Sequence, residues 1–261
     1  MSTDDKKPIY DHVKWNYPFA VNAAKNGDKR LQDLIEELTL AGLELQDIEE
    51  DLATLSKGAK SPTDNETPTI RYTRPVGFVI GHTAKAGGAY SKTLQSNEYD
   101  YWVNNILAII DGLKNTFGIP AHFQTRNNGT SKAYAEIDKF NPLFTCELHF
   151  NGSVDPSAAG FETLALRSST KGKRVAKLFN AAFDFNSPVR MRRQENDGVK
   201  ELYHSDSSNT SRGLYNLSRS VHPSILTEPF FGSNETDSKN FTIHGFVRAL
   251  GEAYIQFEKE S

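Results

Sequence analysis

Short apolar runs alternate with amphipathic segments from residue 76 onwards, and this alternation limits the possible fold more than any other feature of the sequence. The runs are flanked by polar residues or glycine and are rich in β-branched and aromatic side chains, which predicts buried strands. The predicted strands are VGFVI (76–80), PAHFQT (120–125), LFTCELHF (143–150), GFETLAL (160–166), KELYH (200–204) and SILTE (224–228).

Helical spacing marks the segments between and after those strands. Apolar residues recur three and four positions apart from Glu98 to Leu113, around Val175 to Phe179, and from Phe246 to Phe257. Strands that alternate with helices favour an α/β fold. We therefore predict a mostly parallel, twisted sheet flanked by helices.

The first 70 residues have a different character. Apolar stripes at helical spacing lie within residues 31–38 and 45–55, and the polar stretch KGAKSPTDNETPT (57–69) carries two prolines and no apolar anchor. The stripes predict a small helical segment and the polar stretch predicts a linker. We place this N-terminal helical segment and linker, with no assigned role, at residues 1–70 and the catalytic domain at 71–261.

The overall charge and the cysteine content exclude several classes of protein. A formal net charge of -3 does not favour a nucleic-acid partner, which leaves a strongly basic footprint. The local basic run from Arg174 to Arg193 predicts a solvated face, although it could touch an anionic polymer. Cys146 is the single cysteine, so the chain cannot form an intramolecular disulfide or a cysteine-rich metal site.

The sequence carries no predicted membrane segment. No stretch approaches the roughly 20 apolar residues that a membrane helix requires, so we expect no membrane insertion. The polar start MSTDDKK does not have the basic and apolar regions of a secretory signal. We expect synthesis in the cytoplasm without a signal peptide.

Ionisable residues stand where several of the predicted strands end. His82 follows VGFVIG, while His149 and Glu228 lie at the ends of their own strands. Open α/β sheets place their sites at this carboxyl edge. Glu98 opens the helix after the first strand, where the helix dipole favours a carboxylate and the side chain can swing over the same edge.

These residue types suggest a zinc hydrolase. Two imidazoles and one carboxylate are a common set of protein ligands for catalytic zinc, which predicts a site for one Zn²⁺ at His82, Glu98 and His149. A carboxylate that does not bind the metal can transfer protons, and Glu228 is the candidate. The ligands are spread along the chain without the HExxH motif, so spacing alone is only suggestive.

The residues themselves leave other assignments open. Glu228 could be a structural carboxylate or a fourth metal ligand, and Glu147 and Glu162 compete with it for proton transfer. Strand alternation places Glu147 on the same side as His149 and turns Cys146 away, so Cys146 is predicted to be a core residue.

Other features receive structural interpretations. Gly87 and Gly88 do not have the motif of a phosphate-binding loop. Histidines outside the predicted site are interpreted as structural, although His204 and His222 lie near predicted strand ends and could approach the site. The remaining histidines of this group are His12, His122 and His244.

From about Pro75 to Phe257 the chain resembles the type 3 family of zinc-dependent N-acetylmuramoyl-L-alanine amidases. Blocks of sequence carry this resemblance in the family's order: GFVIGHTAKAGGAY, NEYDYWVNNIL, LHFNGSVDPSAAGFETL and PSILTEPFFGSNETD. The resemblance implies an α/β fold, zinc ligands at His82, Glu98 and His149, and a catalytic glutamate at Glu228. Other positions that match the blocks are Asn151, Gly160, Glu162, Phe231, Ser233 and Asn234.

The resemblance also implies a reaction. Members of this family cleave the amide between the lactyl group of N-acetylmuramic acid and L-alanine, so the expected substrate is peptidoglycan or a muropeptide. Without a signal peptide, a bacteriophage endolysin that acts on the cell wall after release is one expectation. Departures from the family are the Thr-Ala-Lys-Ala loop after His82, Glu147 where serine is more usual, and Pro229, and they concern substrate detail.

Two further functions remain alternatives. A zinc carboxypeptidase uses similar ligands but needs an arginine to bind the free carboxylate of its substrate; Arg126, Arg167 and the arginines in 190–193 are candidates. A wall-binding protein without turnover would keep the fold, but it would not need an intact set of ligands and a catalytic glutamate.

Overall fold

The computed structural model describes residues 72–203 and 213–261, which form a six-stranded sheet with helices on both faces. Each strand that the apolar runs predict is present, with small differences at the ends. The sheet strands are β1 (Val76–Ile80), β4 (Ala121–Thr125), β5 (Phe144–Leu148), β6 (Glu162–Leu166), β7 (Val199–Leu202) and β8 (Ser224–Glu228), and a separate hairpin contains β2 (Tyr90–Ser91) and β3 (Ser96–Asn97).

The sheet is mostly parallel, as predicted. Its strand order is β4-β1-β5-β8-β6-β7, and only the β6–β8 pair is antiparallel among the pairs of this sheet. Long helices cross over between β1 and β4 and between β6 and β7, as parallel neighbours require. The connection from β5 to β6 has no helix, and β6 runs in the opposite direction.

The three predicted helices are present and are longer than their apolar stripes. Asn97 caps the first of them by accepting a hydrogen bond from the Asp100 amide, which fixes where this helix begins. Three further helices were not predicted: one lies between β4 and β5, a short one precedes β8, and a short one follows β8. The helices are α1 (Glu98–Phe117), α2 (Thr130–Asp138), α3 (Thr170–Asn186), α4 (Leu214–Leu217), α5 (Glu235–Asn240) and α6 (Ile243–Lys259).

Apolar residues cover both faces of the sheet. Alternate residues of the central strands, such as Phe78 and Cys146, point into a large core shared with α1, α3 and α6. On the other face, Val79 packs with residues of α2, and Leu226 packs with residues of α4. Burial on both faces explains why the strands read as nearly continuous apolar runs.

Strand register brings the predicted site residues to one edge. Ile80 pairs with Leu148, and Leu148 pairs with Thr227, so β1, β5 and β8 end side by side. His222 precedes the opposite end of β8, so the idea that it could approach the site is wrong. His204 and the predicted N-terminal helices lie outside the described residues, and the boundary near residue 70 stays a prediction. No helix within the described ranges is long and apolar enough to cross a membrane.

Candidate metal centre

His82, Glu98 and His149 meet at the carboxyl edge of the sheet. One ligand atom from each lies within 4.8 Å of the others. Glu98 is at the centre, with Oε2 2.9 Å from His149 Nδ1 and 3.3 Å from His82 Nε2. Their atoms are nitrogen and carboxylate oxygen, which are suitable donors for a divalent metal. The cluster can therefore hold a metal ion.

Backbone geometry aims these side chains at one another. His82 has a φ of 63°, a left-handed conformation that is uncommon for a residue with a Cβ atom and that turns the chain sharply after β1. Glu98 is the first residue of α1, and its carboxylate accepts hydrogen bonds from the amides of Ala89 (2.8 Å) and Phe150 (3.2 Å). The loop after β1 and the end of β5 are thus fixed to the same carboxylate.

The electrostatics of the cluster favour a bound cation. Burial alone would raise the pKa of Glu98, but hydrogen bonds to His149 and His82 outweigh it and lower this pKa to about 2. Burial would lower the pKa of His149, yet Glu147 and Glu98 raise it to about 10. Without a metal, the cluster therefore holds a proton between buried carboxylates, and a metal ion would supply the same positive charge.

Glu147 forms a polar network behind His149. Its carboxylate is fully buried, and Oε1 lies 3.0 Å from His149 Nε2. Oε1 also accepts hydrogen bonds from Arg126 Nη1 (2.8 Å) and Asn216 Nδ2 (2.9 Å), and Oε2 accepts one from the Tyr134 hydroxyl (2.6 Å). Burial would raise the pKa of Glu147, but these partners, His149 first among them, hold it below its usual value. Glu147 is therefore an ionised, fully paired carboxylate.

Glu228 is in the opposite situation. Its Oε2 is buried and has no hydrogen-bond partner, which is true of no other buried carboxylate oxygen in the described parts of the chain. Burial raises the pKa of Glu228 to about 8; the charge of His149 opposes this shift, and the charges of Glu98 and Glu162 add to it. Glu162 lies opposite Glu228 in the sheet, but Arg193 Nε donates to its Oε2 at 2.6 Å.

The remaining candidates fall into structural roles. Cys146 is buried on the other side of β5, where burial raises the pKa of its thiol to about 12, so it is a core residue as predicted. His122 stacks on Phe140. Asn234 caps α5, and Ser233 accepts a hydrogen bond from the Ser153 amide.

Several residues of the site have contacts that the sequence does not predict. Arg126 and Asn216 come from a 3₁₀ turn and from α4, and they meet Glu147 only in the folded chain. Asp237 was missed as well; this buried carboxylate accepts hydrogen bonds from the amides of Gly160 (2.7 Å) and Phe231 (3.0 Å). It fixes the segment before β6 to the segment that follows β8.

Comparison with known proteins identifies the family. The model of a family described as N-acetylmuramoyl-L-alanine amidase matches residues 76–257. No curated protein sequence matches the chain.

Solved structures share the fold at low sequence identity. The chain is similar to an N-acetylmuramoyl-L-alanine amidase from Clostridium difficile 630, with a TM-score of 0.58 and 16% identity over 73% of this chain and 100% of that one. It is also similar to the catalytic domain of the CD27L endolysin, which targets Clostridia difficile (TM-score 0.55, 19% identity, 70% and 97% coverage). A third match is an N-acetylmuramyl-L-alanine amidase from Mycobacterium smegmatis (TM-score 0.56, 16% identity, 74% and 100% coverage).

A glycine next to the cluster provides a test of its geometry. Gly88 has a φ of 85°, and a Cβ atom there would lie 2.6 Å from His82 Cδ2 and 2.7 Å from Glu98 Oε1. We expect Gly88→Ala to displace both side chains and to reduce bound zinc, measured by mass spectrometry after dialysis against zinc. Gly129→Ala is the matched control, because Gly129 has a φ of 98° with nothing within 4 Å. Equal zinc content in the two variants would contradict the described cluster.

Proposed function

The chain belongs to the N-acetylmuramoyl-L-alanine amidase family, and we propose that it works as a zinc-dependent hydrolase whose metal is held by His82, Glu98 and His149. It cleaves the amide that joins N-acetylmuramic acid to L-alanine in peptidoglycan. The observation that carries the proposal is the convergence of these three donors within 4.8 Å, together with a carboxylate oxygen, Glu228 Oε2, that is buried without a hydrogen-bond partner.

The donor set fits zinc in type and number. Two histidines and one glutamate are a known set of ligands for catalytic zinc, and they leave one position open. When bound, zinc supplies a Lewis acid that polarises the substrate carbonyl and makes water more acidic. His82 is the most exposed of the three, with 34% of its side chain accessible, and so the cluster can be reached from solvent.

Glu147 acts as a positioning residue for His149. Its hydrogen bond to Nε2 leaves Nδ1 facing Glu98, so the ring has one orientation and Nδ1 is the nitrogen turned towards the cluster. Arg126 in turn holds the Glu147 carboxylate, which prevents it from rotating towards the cluster. Serine, the more usual residue of the family at this position, is too short to reach the same partners.

Glu228 transfers the proton. In the reaction, water adds to the lactyl carbonyl carbon and the bond from that carbon to the L-alanine nitrogen breaks. Glu228 takes one proton from the water and delivers it to the departing nitrogen, because its carboxylate oxygen Oε2 has no hydrogen-bond partner that competes for the proton. Glu147 and Glu162 are less suited to this role because arginines pair with them.

The alternative functions have weaker support. Of the arginines that a carboxypeptidase would need, Arg126 is committed to Glu147 and Arg193 to Glu162. Arg190 and Arg192 are not paired with a carboxylate of the described residues, and the amidase is favoured over this alternative because the amidase family model matches residues 76–257. Arg167 follows the carboxyl end of β6, which lies at the opposite edge of the sheet because β6 is antiparallel to β8. A wall-binding protein without turnover has no need of an unpartnered, buried Glu228.

The site of action is the bacterial cell wall, where the substrate is found. The similarity to the catalytic domain of an endolysin supports the further proposal that the protein reaches the wall after release from the cell that makes it. Purified peptidoglycan or isolated muropeptides would be cleaved whether or not the protein reaches the wall by this route.

Two substitutions separate metal binding from proton transfer. We expect about one zinc per chain in the unmodified protein and little in His82→Ala, because three protein ligands define such a site. Glu228→Gln should keep its zinc and lose amide cleavage by at least about a hundredfold. Zinc is measured by mass spectrometry, and cleavage is followed by labelling the new amino termini of digested peptidoglycan.

The chemistry of the products decides between the alternatives in the same assay. An amidase exposes the amine of L-alanine, whereas a carboxypeptidase releases a C-terminal residue. If the purified protein carries no metal and its activity survives chelation, the proposal of a zinc-dependent hydrolase is wrong. Full activity in Glu228→Gln would show that a group other than Glu228 transfers the proton.

The raised pKa of Glu228 also predicts how stability depends on pH. Between 4.5 and about 8, the folded metal-free chain keeps a proton on Glu228 that the unfolded chain releases, so the stability that this proton contributes is lost as the pH rises through this range. We expect metal-free Glu228→Gln to become more stable relative to the unmodified chain from pH 5 to pH 9, measured by urea unfolding.

The control for this measurement is Glu235→Gln. Glu235 is exposed, and its hydrogen bond to Lys239 lowers its pKa from 4.5, so it titrates below the tested range. A difference between Glu228→Gln and the unmodified chain that stays constant from pH 5 to pH 9 would mean that Glu228 is already ionised.

Glu147→Gln tests the positioning role. The amide loses the charge that holds Arg126 and orients His149, and the affinity for zinc should fall by about 10–100-fold, as for other residues that hydrogen-bond a metal ligand. Competition with a chromophoric chelator measures this affinity without relying on activity. Glu136→Gln is the control, because Glu136 is exposed on α2 and pairs with Lys139. Equal affinities in both variants would remove Glu147 from the mechanism.

A further inference from the structure

An arginine-rich groove lies beside the proposed catalytic edge. Its volume is about 470 Å³, and its walls are the Ser157–Ala159 loop and residues 190–195. The groove contains Arg190, Arg192 and Arg193, against Glu195 as the one carboxylate in the lining. The sequence predicts a solvated face for this part of the chain, but folding gives it a concave shape.

The groove is fixed to the strands that carry the site. Phe161 forms backbone hydrogen bonds of 2.9 Å with both Arg190 and Arg192. Gly160, with a φ of 98°, lets this segment approach, since a Cβ atom there would lie 2.7 Å from Arg190 O and from Arg192 Cγ. The arginines therefore stand on a defined backbone and not on a free loop.

Two of the arginines contact residues on either side of Glu228. Arg193 pairs with Glu162, which lies opposite Glu228 in the sheet. The Arg192 guanidinium lies 4.7 Å from the centre of the Phe231 ring, three residues after Glu228. A substrate that reaches Glu228 can therefore extend into the groove.

Arg190 and Arg192 keep their charge available. Arg193 is neutralised by Glu162, whereas no carboxylate of residues 72–203 or 213–261 pairs with either of the other two. Stacking on Phe231 orients the Arg192 guanidinium, so little freedom is lost when it binds an anion. A planar guanidinium pairs best with a carboxylate or a phosphate, through two parallel hydrogen bonds.

We propose that this groove binds the free carboxylate of the stem-peptide residue that follows L-alanine, with Arg192 as the main contact and Arg190 beside it. This inference rests on the proposed function. In peptidoglycan that residue is a D-glutamyl residue joined through its side chain, which leaves its α-carboxylate free unless the cell has amidated it. The groove thus selects substrates with the unmodified carboxylate.

Two synthetic muropeptides that differ only in this group test the inference. One carries D-glutamate after L-alanine, and the other carries D-isoglutamine. The unmodified enzyme should show the lower KM for the free acid, and Arg192→Gln should raise that KM by about tenfold, because it removes one charge-assisted pair. The KM for the amidated substrate should stay within about twofold, which also shows that the variant is folded.

Arg167→Gln is the matched control. Arg167 also stacks on an aromatic ring, that of Tyr203 at 5.5 Å, but it lies at the opposite edge of the sheet. Its loss should leave both KM values unchanged.

The possible outcomes separate this inference from the proposed function. Equal KM values for the two substrates, or an equal rise for both in Arg192→Gln, would contradict the proposal that the groove binds this carboxylate. The proposed amidase function would be unaffected. If Arg192→Gln binds whole cell walls less well in a sedimentation assay but keeps its KM values, the groove binds an anionic wall polymer. That result would also contradict the proposal. No turnover of either muropeptide by the unmodified enzyme would instead count against the proposed function.

Discussion

The position of His149 between two carboxylates is the interaction on which the site depends. Glu98 approaches one ring nitrogen from the start of α1, and Glu147 approaches the other from within β5. A buried imidazole held on both sides cannot rotate, and it keeps positive charge in a place where burial alone would remove it. Through Glu98, this ring is connected to the loop after β1 and to the end of β5. Through Glu147, it is connected to Arg126 and Asn216.

Four glutamates at this edge have the same chemistry and different surroundings. Glu98 lies among histidines, Glu147 is saturated by donors, and Glu162 is paired with an arginine. The Oε2 atom of Glu228 is buried without a hydrogen-bond partner, and the pKa of Glu228 moves in the opposite direction to those of Glu98 and Glu147. This separation of pKa values supports the proposal that one carboxylate binds the metal and another transfers the proton.

Membership of the amidase family explains the shared architecture, and the chain's own residues determine the surroundings of the site. The three solved structures share 16–19% of their sequence with this chain, and at this level of identity the similarity shows the fold alone. Glu147 brings Arg126 and Asn216 into contact with the back of the site, and residues 190–195 form a basic groove in front of it. The proposed roles of both features concern how a metal or a substrate is held and do not involve the order of the strands.

The sequence by itself determined the strands, the main helices and the edge at which His82, His149 and Glu228 lie, because these follow from local periodicity and from the parallel β1, β5 and β8. It did not reveal α2, whose buried residues are only Ala133, Tyr134 and Ile137. The antiparallel direction of β6, the partners of Glu147 and the arginine groove were decided only by the tertiary structure. Each of these depends on contacts between residues far apart in sequence, and no local pattern encodes such contacts.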